Sequence, residues 1–121
     1  MSEAYNVLYN YLLELSEYEA YTLSFGIWKF KRTYDVVDKS IRNRASSFLI
    51  SFHKMFLDMD CTDISSKEKR QIEYTLKVLD DISNARVYTY NISIFDFELY
   101  CDYDETVGKA KQALKHLNKM R

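Results

Sequence analysis

The amino-acid sequence predicts an all-α protein, and three observations support this fold class. Proline is absent and glycine occurs only at Gly26 and Gly108, whereas turn-rich β proteins depend on both residue types. Apolar-leaning residues recur at steps of three and four, which keeps side chains on one helix face. The same pattern of steps recurs forty-two residues later. The first set is Phe30, Tyr34, Val37, Ile41, Ala45, Phe48, Phe52, Met55 and Met59, and the second is Ile72, Leu76, Leu79, Ser83, Val87, Tyr90, Ile94, Phe97 and Cys101.

These two stripes predict an elongated helical bundle built on a long antiparallel helical hairpin. We expect its helices at about 17–59 and 66–101, with short N- and C-terminal helices packed at one end. A length of 121 residues fits one domain covering 1–121.

The N-terminal helix is predicted by Tyr5, Leu8, Leu12 and Leu15, which follow steps of 3, 4 and 3. Ser16 is followed three residues later by Glu19, a spacing that allows the serine to cap a new helix. A continuous helix through Ser16 is the alternative. The second helix then runs to Met59, and Gly26 is its only candidate kink.

The polar stretch 60–63 predicts the loop of the hairpin, and Ser65 with Glu68 repeats the capping pattern at the start of the third helix. The alternative for the end of this helix is an α+β fold with one or more strands in 87–103. Tyr88, Tyr90 and Ile92 alternate with polar residues there, as in a half-buried strand. We favour the helix.

The C-terminal helix is predicted to begin at Asp102 or Asp104, since either aspartate can act as an N-cap. Its apolar line is Val107, Ala110, Leu114 and Leu117.

Composition and local patterns argue against a disordered, a membrane-spanning or a secreted, disulfide-bonded protein. Hydrophobic residues make up 47% and charged residues 29% of the chain, a globular balance. No run reaches the roughly 18 to 20 apolar residues that span a bilayer, and the first fifteen residues lack a signal-peptide pattern. The hairpin would hold Cys61 far from Cys101, so we expect reduced thiols and a cytoplasmic location.

Charge is segregated along the chain and allows two interpretations. Residues 29–54 carry seven basic and two acidic residues, whereas 80–105 carry seven acidic residues and one basic residue. We expect the basic blocks to face Asp80, Asp81, Asp96 and Glu98 across the hairpin. The alternative is nucleic-acid binding through the blocks 29–54 and 109–121. The cations concerned are Lys29, Lys31, Arg32, Lys39, Arg42, Arg44, Lys109, Lys111, Lys115 and Lys119.

No catalytic motif is present, and we do not expect an enzyme, a metal site or a cofactor. The two histidines, His53 and His116, are not at metal-ligand spacing from either cysteine. The two glycines are isolated, so the chain has no phosphate-binding glycine loop.

A second apolar face on the central helix is the main functional indication. Leu49, Ile50, His53, Phe56 and Leu57 share an arc of about 120° on a helical wheel. The terminal helices are too short to reach this end of the hairpin, so we expect this face to bind another chain, most economically a second copy in a two-fold homodimer. The alternative is that the terminal helices reach further or the central helix bends, and the face is ordinary core. The predicted function is a small protein-interaction module, such as an adaptor, an inhibitor or an immunity-type factor of a phage or mobile element. We expect no membrane partner.

Overall fold

The computed structural model describes residues 2–25, 32–57, 64–92 and 95–119. Within these ranges the elements are α1 (Glu3–Ser16), β1 (Tyr21–Phe25), β2 (Arg32–Asp38), α2 (Ser40–Leu57), α3 (Ser66–Ser83), β3 (Val87–Ile92), β4 (Phe95–Asp102) and α4 (Lys109–Lys119). A π-helical turn, Asp104–Gly108, leads directly into α4. The described part of the chain therefore combines helices with an antiparallel sheet.

The all-α prediction is wrong in two places. The helix expected over 17–59 is replaced by β1, β2 and the shorter α2, and the helix expected over 66–101 ends at Ser83. The alternative that placed strands in 87–103 is the one that the structure contains. The predicted kink at Gly26 and the predicted loop at 60–63 lie outside the described residues.

The two terminal helices form close to where the sequence predicts them. Ser2 caps α1 by accepting a hydrogen bond at Oγ from the Tyr5 amide, at 3.2 Å. Ser16 does not start a second helix, because its hydroxyl donates backwards to the Leu13 carbonyl at 2.7 Å and the helix ends there. At the other end, Asp102 accepts from the Glu105 amide at 3.1 Å and leads into the π-helical turn.

The predicted cap of the third helix is confirmed. Ser65 Oγ accepts a hydrogen bond from the Glu68 amide at 3.2 Å. The Glu68 carboxylate does not return to its own helix start, however; it accepts from the Ser2 amide at 2.6 Å. Hydrogen bonding from Ser2, through its side chain first and also through its amide, lowers the pKa of Glu68. The contact ties the starts of α1 and α3 together.

Helices α2 and α3 pack against each other as a short helical pair. Arg42, near the start of α2, donates from Nε to the carbonyl of Ser83 at the end of α3, at 3.2 Å. The start of one helix thus lies beside the end of the other, which is an antiparallel arrangement. The two helices are antiparallel, as predicted, but Tyr21–Phe25, Arg32–Asp38, Val87–Ile92 and Phe95–Asp102 belong to the sheet and not to these helices.

The sheet is antiparallel with strand order β1-β2-β4-β3. Its two central strands pair only through Val36–Asp38 and Tyr100–Asp102, with Val37 opposite Cys101. Beyond this short overlap, each hairpin continues alone. The β1–β2 and β3–β4 hairpins therefore extend as two arms in opposite directions from the centre of the sheet.

One hydrophobic core joins the helices to the centre of the sheet. Val37 and Cys101 are fully buried and belong to the same cluster as buried residues from α1, α2, α3 and α4. Burial also raises the pKa of the Cys101 thiol. The helices therefore cover the face of the sheet on which Val37 lies.

The chain repeats its architecture at a spacing that the sequence stripes do not indicate. Each half reads α-β-β-α, and the strand order β1-β2-β4-β3 is unchanged when the halves are exchanged. Helix α1 contacts α4, as α2 contacts α3. The five buried positions of α1 recur in α3 at an offset of 67 residues: Ala4, Tyr5, Leu8, Leu12 and Leu15 correspond to Gln71, Ile72, Thr75, Leu79 and Ile82. The fold thus has an approximate two-fold axis at the Val37–Cys101 pair.

Candidate protein-binding surface

The two faces of the sheet differ in composition along the arms. Side chains alternate between faces along a strand, so the strand register assigns each paired position to a face. Positions on the Val37 face of the arms are polar: the pairs are Thr22–Asp35, Ser24–Thr33, Thr89–Glu98 and Asn91–Asp96. Thr22 and Asp35 are exposed and hydrogen-bonded to each other at 3.3 Å. The polar side of this arm therefore faces solvent, although it is on the same side of the sheet as the helices.

The opposite face, on which Val36 lies, is the apolar one. Its register positions carry aromatic or aliphatic residues except for Arg32, Asp38 and Asp102. They are Tyr21, Leu23, Phe25, Tyr34, Val36, Tyr88, Tyr90, Ile92, Phe95, Phe97 and Tyr100. We call these eleven positions the apolar sheet face.

The centre of the apolar sheet face is packed by its own side chains. Val36 is fully buried, yet it does not belong to the core that the helices form. The rings of Tyr21 and Tyr100, on either side of β2, lie 5.9 Å apart. Tyr21 is nevertheless 48% exposed. This centre therefore combines a dry interior with an accessible aromatic surface, a combination common in protein-binding sites.

The α2 face predicted from the sequence is only partly available. Leu49 packs against the core, so it is not a free surface residue. Ile50 is 57% exposed and His53 is exposed beside the ring of Phe52. The side chains of Phe56 and Leu57 lie outside the part of the chain that the structure describes. Among the described side chains, Ile50 and His53 remain as candidates for a contact on α2.

A shallow groove of about 440 Å³ runs beside α2, where α1 approaches it. The Tyr11 and Phe48 rings stack in parallel at 3.8 Å at its side, and burial raises the pKa of Tyr11 to about 12. The guanidinium of Arg44 lies 5.7 Å from the Tyr18 ring centre. The remaining lining residues are Ser40, Asn43, Ser47 and Ser51. Spacing along the sequence does not indicate this groove, because its lining comes from two helices that are distant in sequence.

The basic residues of the first block are divided between structural and exposed positions. Arg42 is bonded to the end of α3, whereas Lys39 and Arg44 are exposed on the surface. Arg32 lies in β2, and its side chain is not described. Lys29 and Lys31 lie outside the described residues.

In the second block, two lysines are engaged by the chain itself. Lys109 Nζ lies 3.6 Å from Asp81 Oδ2 of α3. This ion pair is one example of the predicted attraction between the basic block 109–121 and the acidic residues of the third helix. Lys111 donates to the Tyr103 hydroxyl at 2.7 Å. Lys115 and Lys119 are exposed on α4. Asp96 and Glu98, expected on a helix, lie in β4.

Comparison with known proteins gives no relative. No family model, no curated protein and no solved structure matches this chain. Within residues 2–25, 32–57, 64–92 and 95–119, no group of three His, Cys, Asp or Glu side chains is placed to hold a metal ion. In the same ranges, none of the helices has the length and apolar character needed to cross a membrane.

Proposed function

We propose that this chain is a protein-interaction module that binds a partner protein through the apolar sheet face. One observation carries the proposal: the paired positions of the arms are polar on the helix side and apolar on the opposite side. A hairpin that extends from the core and only needed to dissolve in water would be polar on both faces. Apolar positions gathered on the face of a sheet that lies away from the core are typical of a binding site.

The kind of partner follows from the charge of the face. Its centre holds two carboxylates, Asp38 and Asp102, and Arg32 is the only basic residue among its register positions. Nucleic acid requires several cations along its backbone path, so an apolar protein surface fits this face better. An adaptor or an inhibitor that covers a surface of its target would work in this way.

The α2 surface is a secondary contact in this proposal. Ile50 and His53 lie on a helix that packs on the other side of the sheet from the apolar face. A homodimer through positions 49–57 stays a prediction, and Leu49 contributes less to it than the sequence suggests because this side chain is part of the core.

The test compares two lysine substitutions in affinity capture from the lysate of the native host. Tyr100→Lys places a charge at the centre of the apolar sheet face. Tyr74→Lys is the matched control, because Tyr74 is 36% exposed on α3 and on the helix side. We expect a specific protein retained by the wild type and by Tyr74→Lys, and lost with Tyr100→Lys.

Two results would contradict the proposal. One is capture of the same protein by Tyr100→Lys and by the wild type in equal amounts. The other is capture of nucleic acid alone, released between low and moderate salt, which would favour the basic surface instead.

A further inference from the structure

The sheet has two open edges, and neither is protected from pairing with another chain by a charged residue or a proline. Within the described ranges, no strand pairs with the outer edge of β1 or of β3. Edge strands are normally protected by charged residues, proline or a bulge. Tyr21–Phe25 contains no charged residue and no proline, and Val87–Ile92 contains none either.

The two edges differ in regularity. The β3–β4 pairing shifts its register between Tyr88 and Thr89, and such an irregularity bends and twists a strand away from flat pairing. The β1–β2 pairing has no shift through all five pairs from Tyr21 to Phe25. Strand β1 is therefore the regular and unprotected edge.

Strand β1 is chemically matched to a second copy of itself in antiparallel pairing. With Leu23 opposite Leu23 of the second copy, Thr22 is opposite Ser24 and Tyr21 is opposite Phe25. Each hydroxyl residue meets a hydroxyl residue, and each apolar residue meets an apolar one. Cross-strand pairs of this kind are the unit that stabilises a sheet.

Flanking charges favour the same arrangement. Glu17 and Glu19, both exposed, precede β1 in the chain. Antiparallel pairing keeps these acidic residues of the two copies apart. Parallel pairing would place like charges together, which is destabilising.

We infer that two copies of this chain associate edge to edge through β1, about a two-fold axis at Leu23, and form one continuous eight-stranded sheet. This inference rests on the proposed function and deepens it, since the apolar sheet faces of both copies would lie on the same side of the joined sheet. A partner would then meet a surface of twice the length.

The contact is small, which sets the expected affinity. Five residues from each copy bury less than the roughly 800 Å² per partner of a standard stable interface. We therefore expect a dissociation constant of about 10 to about 100 µM. Sedimentation velocity over a concentration series would measure it.

Two substitutions at one position test the register directly. Leu23→Lys places two positive charges at the axis and Leu23→Glu two negative ones, so each variant alone should associate at least about ten-fold more weakly than the wild type. An equimolar mixture of the two should associate again, because opposite charges then meet. Tyr90→Lys, in the middle of β3, is the matched control and should associate like the wild type.

The inference is overturned by a single-chain mass for the wild type at every concentration, by an equal effect of Tyr90→Lys, or by a mixture that stays monomeric. If the Leu23 variants lose their far-ultraviolet circular dichroism, hydrogen exchange of the wild type decides. Amide protection in β1 should rise with concentration while protection in β3 does not, and unchanged protection in β1 rejects the inference. Mass and exchange are measured on the purified chain, so their failure is distinct from a failure of partner capture.

Discussion

Truncation of two corresponding core leucines should cost nearly the same free energy of unfolding, because the two halves of the fold bury them alike. Leu12 of α1 and Leu79 of α3 are both 0% exposed and occupy equivalent positions in the repeated pattern. Replacing either by alanine removes about three carbons, worth about 2.4 kcal/mol at about 0.8 kcal/mol each. A residual cavity of about 60 Å³ adds roughly 1.5 kcal/mol. We expect each variant to lose about 4 kcal/mol.

The assay is urea denaturation followed by far-ultraviolet circular dichroism, with Leu13→Ala as the control. Leu13 neighbours Leu12 in α1 but is 38% exposed, so its truncation should cost less than about 1 kcal/mol. All three variants should unfold in one transition, because both halves share the core. A cost for Leu12→Ala no larger than for Leu13→Ala, or a difference above about 2 kcal/mol between Leu12→Ala and Leu79→Ala, would refute the equivalence.

Three further measurements test local features. In a Cys61→Ser background, Cys101 should react with a thiol reagent only on unfolding, because it is fully buried and burial raises its pKa; rapid reaction of the native protein would contradict this burial. Tyr11 should titrate near pH 12 at 295 nm, and Phe48→Ala should bring it back towards 10 by exposing the ring. Since the folded state holds this proton more tightly, the stabilisation is complete below pH 10 and is lost as the pH rises towards 12; a Tyr11→Phe variant with the same alkaline stability would argue against it. Ser65→Ala should cost about 1 kcal/mol in thermal or urea unfolding by removing the cap of α3, whereas no change would show that the cap contributes nothing.

The helices that the sequence predicts well are those defined by local signals. The apolar steps from Tyr5 to Leu15 set the buried face of α1, and Ser65 caps α3 through its own hydroxyl. Both signals act within one or two helical turns, so no distant part of the chain is needed to interpret them.

Strands β1 and β2 were missed because the apolar residues of a strand with two buried faces can also fit the spacing of a helix. Tyr34 and Val37 are three residues apart and would share a helix face, but in β2 they lie on opposite faces of the sheet. Val36 and Val37 are both buried although they are adjacent, so the centre of β2 shows little alternation in hydrophobicity. The alternation from Tyr21 to Phe25 was present, but its meaning depends on the neighbouring strand.

The binding surface could not be assembled from the sequence for a related reason. The apolar sheet face requires the pairing of β2 with β4, which joins Val37 to Cys101 across the two halves of the chain. Sequence spacing showed the apolar character of α2 but not that Leu49 packs inward. Which of several apolar faces remains uncovered is decided by tertiary packing, which local periodicity does not encode.

The repeated α-β-β-α order also bears on how the chain could be divided. Each half places its helices against those of the other half, and the Val37–Cys101 pair joins the two halves through the sheet. The covalent link between α2 and α3 therefore serves to raise the effective concentration of one half around the other. Residues 1–57 and 64–121, produced as separate polypeptides, should assemble by fragment complementation, with a strength that depends on their concentration rather than on the link.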